Sequence, residues 1–468
     1  MIIGMWWSML TGMGGPDQGF DQQAHIQGSA QLLSSYLQVD TRAGKELDGA
    51  LFLGEHLAAA GIPYEIDEYA PGRANLMARL SGDGTGGGPV CLLSHIDTVD
   101  WESELWEGGP GPLSGAIEGG WIWGRGALDM KGMGIVELQA FTSLKRSQAT
   151  LSRDVWLLAV SDEEDGNGGA KRLVERWDEL GCAYVLNEGG MGVQDLLFEG
   201  QTVYPISVGE KGVLWVRLLA HGEPGHGSTP VVERESPEHL IRAVNKVRAH
   251  NEAQEPEWHP AMTELLNNVG QQRKGVEKAA LTKPTLTKTL LKGQLMDNPI
   301  IRASMTTTWH LTGLEGARAP NVVPGTSSAV LDIRLSPTKT AEMALVELSA
   351  LIDDESVELQ VIAQEEAAVS EWRDDPFYEA LSRHIQADRP ELVVGPAISP
   401  GFTDSIYLRH MGARAYGLVP FDVPQDELAG FHGPKERVSV ENVDRGVRWL
   451  IGVLEETCTQ PRTLESHP

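Results

Sequence analysis

Short apolar runs alternate with longer amphipathic stretches over the first 200 residues, which restricts this part of the chain to a sheet covered by helices on both faces. The strand-like runs are 90–94, 154–160 and 183–186, and the helical patterns between them are 130–144 and 170–180. Such an alternation predicts a three-layer α/β/α unit, whose central strands are buried on both sides and therefore read as continuous apolar runs.

From about residue 208 the texture changes. A strand at 213–220, a helix at 237–250, strands at 304–310 and 328–335, a helix at 340–351 and a strand at 357–364 follow the β-α-β-β-α-β order of a ferredoxin-like unit. Residues 208–365 are thus expected to form an α+β domain inserted between the two parts of an α/β domain, 1–207 and 366–468. Residues 255–299, with scattered Pro, Lys and Asn, read as an elaboration of that insert. After Asp375 and Pro376, suited to an N-cap and a first helical position, the α/β texture resumes. Helices are expected at 377–385, at 405–411 closed by Gly412, and at 439–456. A length of 468 residues also favours two domains over one.

The balance of 66 acidic against 38 basic residues gives a net charge of −28, which repels phosphate backbones and anionic lipid, so neither nucleic acid nor a membrane is expected as a partner. Three cysteines, Cys91, Cys182 and Cys458, without close pairing, speak against a disulfide framework or a thiolate zinc site. The apolar residues 1–13 lack a basic flank and are too short to span a bilayer. The chain reads as cytoplasmic, with export through its N-terminus as the alternative.

Open α/β sheets hold their ligands beyond the carboxyl ends of the strands. Five such points here carry metal-binding side chains: His95 and Asp97, then Asp129, then Glu163 and Glu164, then Glu188, then His432. Singly each has an ordinary reading: a histidine bonded to an aspartate, a helix cap, a solvated acidic loop. Together they do not, because acidic groups recurring at successive strand ends repel one another unless a cation lies between them. Two imidazoles with several carboxylates suit zinc, and tolerate cobalt or manganese.

The motifs SHIDTVD, WGRGALDMKGM, SDEEDGNGGA, NEGG, GHGSTP, APNVVPG, PGFTDS and FHGPKE occur in that order between Ser94 and Glu436, within a resemblance that spans about His25 to Leu454. In these the chain resembles the co-catalytic zinc metallopeptidases that include aminoacylase, carboxypeptidase S, carboxypeptidase G and succinyl-diaminopimelate desuccinylase. The resemblance implies two zinc ions per subunit, one held by His95, Asp129 and Glu188, the other by Asp129, Glu164 and His432, with Asp129 bridging. It further implies that Asp97 accepts a hydrogen bond from the His95 ring, and that Glu163 is the general base. The insert would act as lid and dimerisation domain, with His226 reaching a partner's site to stabilise the oxyanion. Asn321, Arg334, Gly401 and Thr403 resemble substrate-binding positions. Glu188 stands where some members carry aspartate, and the glutamate form is more similar to the aminoacylase and carboxypeptidase S branch.

The expected activity is cleavage of an amide bond in a small carboxylate-bearing substrate, an N-acyl amino acid or a C-terminal peptide bond, by a homodimer. A dipeptidase or other small-amide hydrolase is the alternative enzyme, and a silent metal- or peptide-binding protein the alternative from another class. The glycines of 82–88 read as a hairpin connection. Trp101, Trp106, Trp121 and Trp123 read as packing beneath the site.

Overall fold

The computed structural model describes residues 20–460, so the reading of residues 1–13 lies outside the described part. A nine-stranded mixed sheet runs in the order Tyr64–Ala70, Arg73–Leu80, Val155–Val160, Val90–His95, Tyr184–Gln194, Arg414–Pro424, Thr202–Glu210 and Ala368–Val369, with Val393–Ser399 also paired to Thr202–Glu210. The four strands from Val155–Val160 to Arg414–Pro424 are mutually parallel. All six residues of Val90–His95 are buried, as the central position demands.

Alternation along that strand sorts its side chains between two cores. Val90 and Leu92 join the larger cluster with Met133, Phe141 and Val447 from the helices Lys131–Arg146 and Val440–Cys458. Cys91 and Leu93 join the cluster on the opposite face with Leu173, Leu180 and Leu408. This is the expected three-layer arrangement.

Within that second cluster Cys91 and Cys182 form a disulfide, leaving Cys458 free and buried. The expectation of no disulfide is corrected here. The two cysteines are 91 residues apart in sequence, and only the parallel pairing of Val90–His95 with Tyr184–Gln194 brings their Cα atoms to 5.9 Å.

The second sheet orders Thr308–Glu315, Thr326–Leu335, Gly212–His221 and Val357–Glu365, all antiparallel. The helices Ser236–Glu252 and Ala341–Ile352 cover it, and its core is separate from that of the large sheet. The first of its two middle-sequence strands begins at Thr308 and not at residue 304. Asn298 caps a helix Pro299–Met305 by accepting from the N–H groups of Ile300 and Ile301, so the chain is still helical there.

The stretch 255–299 packs differently from its expected place. Ala261, Leu265, Leu266 and Val269 of helix Pro260–Gln271, with Leu281 and Leu295 after it, belong to the core of the large sheet. Their apolar spacing marks one buried helical face without saying which sheet it meets. The 82–88 loop likewise joins no hairpin, because Val155–Val160 lies between the strands it connects. Asp375 caps Pro376–Asp388 as expected, accepting from Phe377 N at 3.0 Å and Tyr378 N at 2.9 Å.

Candidate metal centre

The parallel order of the four central strands places their carboxyl ends side by side, and the acidic motifs meet there. His95 closes the fully buried strand Val90–His95, with its side chain 1% exposed. Its Nε2 lies 3.0 Å from Asp129 Oδ1, and His432 Nε2 lies 3.1 Å from the other oxygen of the same carboxylate. His432 Nε2 also lies 3.2 Å from Glu164 Oε2, and His95 Nε2 lies 3.7 Å from Glu188 Oε1. Thus side chains from five separate stretches of the chain converge around Asp129. His95, Asp129 and Glu164, and again His95, Glu163 and Glu188, can offer donor atoms within 4.8 Å of one another.

Local backbone features make these placements possible. Glu188 is followed by Gly189 at φ +124° and by Gly190, where an added Cβ would lie 2.1 Å from Pro205 O. The glycines of the NEGG motif therefore let the strand bend and pass close to its neighbour beside the site. His432 itself lies at φ +55°, in the sparsely occupied left-handed region.

Glu436 and Arg125 hold two of the ligand loops together, a role the sequence did not reveal. The buried Glu436 carboxylate accepts from Gly126 N at 2.9 Å, Leu128 N at 2.7 Å and Asp129 N at 3.1 Å. It also accepts from Arg125 Nη1 at 2.8 Å. Nη2 of Arg125 donates to His432 O at 3.1 Å and Gly433 O at 3.0 Å. Both residues stand inside recognisable motifs, but a contact across more than 300 residues leaves no trace in spacing.

Asp97 does not act as expected. His95 Nδ1 donates to the Asp97 backbone carbonyl at 3.0 Å, while its distance to the Asp97 carboxylate is 3.7 Å. The carboxylate instead accepts from Glu163 N at 3.1 Å and Glu164 N at 2.9 Å. The tight turn after His95 brings the carbonyl, and not the side chain, under the ring. Asp97 thereby fixes the loop that carries both glutamates.

The electrostatics are those of an anionic cavity. Burial, reinforced by the charge of Glu188, pushes the Glu163 carboxyl well above its usual range, and burial with the charge of Asp129 does the same for Glu188. Burial also raises Asp404 to about 7; this buried carboxyl beside the cluster was not singled out in the sequence. Burial works to raise Asp129 too, but hydrogen bonds from both histidines hold it low. Hydrogen bonds to Asp129 and Glu164 raise His432 to about 10. Six carboxyl groups thus surround two imidazoles, and Glu164 Oε1 is buried without a hydrogen-bond partner. A nitrogen and oxygen donor set with excess negative charge and an orphaned carboxylate oxygen fits divalent cations.

The cluster opens on a cleft of about 950 Å³ between the two sheets. Gly401, Thr403 and Arg334 line it. Arg334 meets Asp332 through a two-pronged ion pair, Nε to Oδ1 at 2.8 Å and Nη2 to Oδ2 at 3.0 Å. Thr403 offers less than expected: its N–H donates to the buried Glu210, and its hydroxyl accepts from the N–H of Ser405, the first residue of helix Ser405–His410, at 3.2 Å. His226 and Asn321 are not brought to this cleft. They lie together on an exposed ribbon where Gly225–His226 pairs with Val322–Val323, and Gly227 N donates to Asn321 O at 2.9 Å. None of the four tryptophans lines the cleft; Trp106 is buried near Arg125, and Arg437 stacks over Trp121 and Trp123.

The model of peptidase family M20/M25/M40 matches residues 91–456. The chain belongs to this family. As an M20 member it is a metal-dependent amidohydrolase or peptidase acting on small amides. The N-fatty-acyl-amino acid synthase/hydrolase PM20D1 of Xenopus tropicalis is 29% identical over 392 residues, 81% of this chain and 75% of that protein. Aminoacylase-1 of Mus musculus is 27% identical over 443 residues, 92% of this chain and 96% of that protein. Among solved structures, the M20 family metallo-carboxypeptidase Sso-CP2 from Sulfolobus solfataricus superposes with a TM-score of 0.70 at 18% identity, over 94% of this chain and 99% of that one. Human carnosine dipeptidase 1 gives a TM-score of 0.64 at 15% identity, over 93% and 97%. At these identities the structural likeness speaks for the M20 fold alone.

Proposed function

We propose that the protein is a two-zinc amidohydrolase that cleaves N-acyl amino acids carrying an apolar acyl group, releasing the carboxylic acid and the free amino acid. The observation that carries this reading is the convergence of His95 and His432 on the two oxygens of Asp129. One ion would be held by His95, Asp129 and Glu188 and the other by Asp129, Glu164 and His432, with cobalt or manganese able to replace zinc. Bound there, the ions supply Lewis acidity at the amide carbonyl and lower the pKa of water at the site.

The chain's own residues supply the rest. Glu163 carries no hydrogen bond to its carboxylate among the described residues and borders the cleft beside the donor cluster, which suits a general base. It takes a proton from the attacking water as the C–O bond forms, and returns it to the amide nitrogen as the C–N bond breaks. Asp97 holds the Glu163 backbone and so sets the direction of that carboxylate. Arg334 in the cleft wall pairs with the substrate carboxylate, in exchange for part of its bond to Asp332. Met191, Val193, Ile300, Val419 and Phe431 give the cleft an apolar side for the acyl chain. A relative named for N-fatty-acyl amino acids supports that choice.

His226 and Asn321, remote from their own cleft, would complete the site of a partner subunit in a homodimer through the ferredoxin-like insert, where His226 stabilises the oxyanion. Exposed Ile241, Met343 and Val346 on the two helices of this unit support an interface there. The Cys91–Cys182 bond favours an oxidising compartment over the cytoplasmic setting expected from the sequence.

Hydrolysis of a panel of N-acyl amino acids and dipeptides, with chelator and zinc add-back and release of free amine as readout, tests the proposal. Chelator-sensitive activity rising with acyl length is expected. Activity confined to dipeptides would replace it with a peptidase reading, and silence of zinc-loaded protein would leave only a binding function.

A further inference from the structure

In a chain with a net charge of −28, residues 273–292 run against the trend: Arg273, Lys274, Lys278, Lys283, Lys288 and Lys292 face a single acid, Glu277, a local balance of +5. The segment forms the helix Gly275–Thr282, the short helix Pro284–Leu286 and the wide turn Thr287–Leu291, which pack on one another. One side is anchored, because Ala280, Leu281 and Thr287 are buried. The other side is bare. Lys274, Lys278, Lys283 and Lys288 are exposed, and among the described residues no carboxylate lies within ion-pair distance of them. Val276 and Leu290, 80% and 60% exposed, stand among these lysines. Beside them Trp258, Leu281, Pro284 and Arg373 line a groove of about 440 Å³, with Lys288 5.4 Å from the Trp258 ring.

We propose that this segment docks the protein on an anionic lipid surface. A cationic helical face with projecting aliphatic residues and a nearby tryptophan is the composition of an interfacial segment. The overall negative charge does not prevent this, since screening over about 10 Å leaves the local patch to set the potential met by a surface. A second copy of the chain, itself acidic, could also meet the lysines, but such a contact would give Val276 and Leu290 no apolar phase to enter. The location adds an independent reason. The wide turn packs on helix Lys292–Asp297, which packs on helix Pro299–Met305, and Ile300 and Ser304 of the latter line the cleft that opens on the acidic cluster, so the segment is joined to the cleft wall through two packed helices. The inference stands on charge and exposure and holds whether or not the substrate is an N-acyl amino acid.

Cosedimentation with vesicles tests it without any turnover. Wild-type protein is expected to pellet with phosphatidylcholine vesicles containing about one third phosphatidylglycerol, to stay in solution with phosphatidylcholine alone, and to be released by about 1 M salt. At about fivefold per lysine, the combined change Lys274→Gln, Lys278→Gln, Lys283→Gln and Lys288→Gln is expected to lower the partition coefficient by roughly 600-fold. Its circular dichroism and its hydrolysis of soluble substrates are expected to match wild type. The pair Val276→Ser and Leu290→Ser should weaken partition while leaving the salt dependence. Wild-type protein that remains in the supernatant with anionic vesicles overturns the proposal. So does a fully charge-neutralised variant that pellets like wild type, or pelleting that tracks self-association seen by sedimentation velocity without lipid.

Discussion

Replacing Glu436 separates the part of the site that binds metal from the part that holds the binders in place. Its carboxylate is fully buried and accepts four hydrogen bonds, three from the backbone of 126–129 and one from Arg125. Alanine at 436 leaves a buried guanidinium without its partner, which costs about 3–5 kcal/mol, and orphans three amides at about 1–3 kcal/mol each. These terms share one cavity and do not add in full. A loss of about 4 kcal/mol or more is expected, enough to threaten folding. Glu436→Gln is the more informative change. The amide retains one acceptor oxygen, which can serve the pair formed by Leu128 N and Asp129 N, but turns an NH2 group toward Gly126 N and Arg125. Because Arg125 also holds the backbone of His432 and Gly433, the Asp129 and His432 loops should loosen together. Loss of a partner that orients ligands lowers metal affinity by about 10–100-fold, or roughly 1.4–2.7 kcal/mol. Calorimetric titration of chelator-stripped protein with zinc reads the affinity, and urea unfolding reads the stability. The exposed Glu441→Gln serves as control. If Glu436→Gln binds zinc within twofold of wild type with unchanged stability, the argument that this carboxylate positions the ligand loops fails.

Glu163→Ala is expected to retain bound metal while kcat falls by about 100- to 10,000-fold; near-normal turnover would remove Glu163 from the base role. Mixing His226→Ala subunits with Glu163→Ala subunits should restore part of the activity if the histidine works across a dimer. A confirmed mixed dimer with no recovery would place it outside the partner's site. Changing Cys182 to Ser opens a cross-link between residues 91 apart and should lower stability by about 2–5 kcal/mol in urea unfolding, whereas an unchanged midpoint would mean that the bond carries no stability. Burial depresses the Lys211 ammonium to about 7, with Arg334 adding to the effect. Between pH 7 and the unfolded value of 10.5 the unfolded chain holds the extra proton, so this residue makes stability rise with pH by at most about 1.4 kcal/mol per unit. Lys211→Met should abolish that contribution. Identical slopes of stability against pH for variant and wild type would show that Lys211 stays charged in the fold.

Along the chain itself the order of the central elements and the candidate donors were legible. Period-two and period-3.6 patterning marked the four strands and two helices of the second sheet and the central strands of the large one, because each buries one face or both against a core, but not Tyr64–Ala70, Arg73–Leu80, Thr202–Glu210 or Val393–Ser399. The recurrence of His95, Asp129, Glu163, Glu164, Glu188 and His432 next to strand ends was legible because like charges so placed need a cation. Boundaries failed where capping decided them, as at Asn298, whose side chain extends a helix into a stretch that reads as strand. Tertiary structure alone decided which groups meet. The Cys91–Cys182 bond, the anchoring of 260–305 on the large sheet, and the closure of Glu436 on the 125–129 loop all depend on strand order, which residue spacing does not encode. The same holds for Asp97, whose carbonyl replaces its carboxylate under His95 because of how one turn closes. A donor's chemistry is local to its residue, whereas a contact is a property of the whole packed chain, so the first could be read along the sequence and the second only in three dimensions.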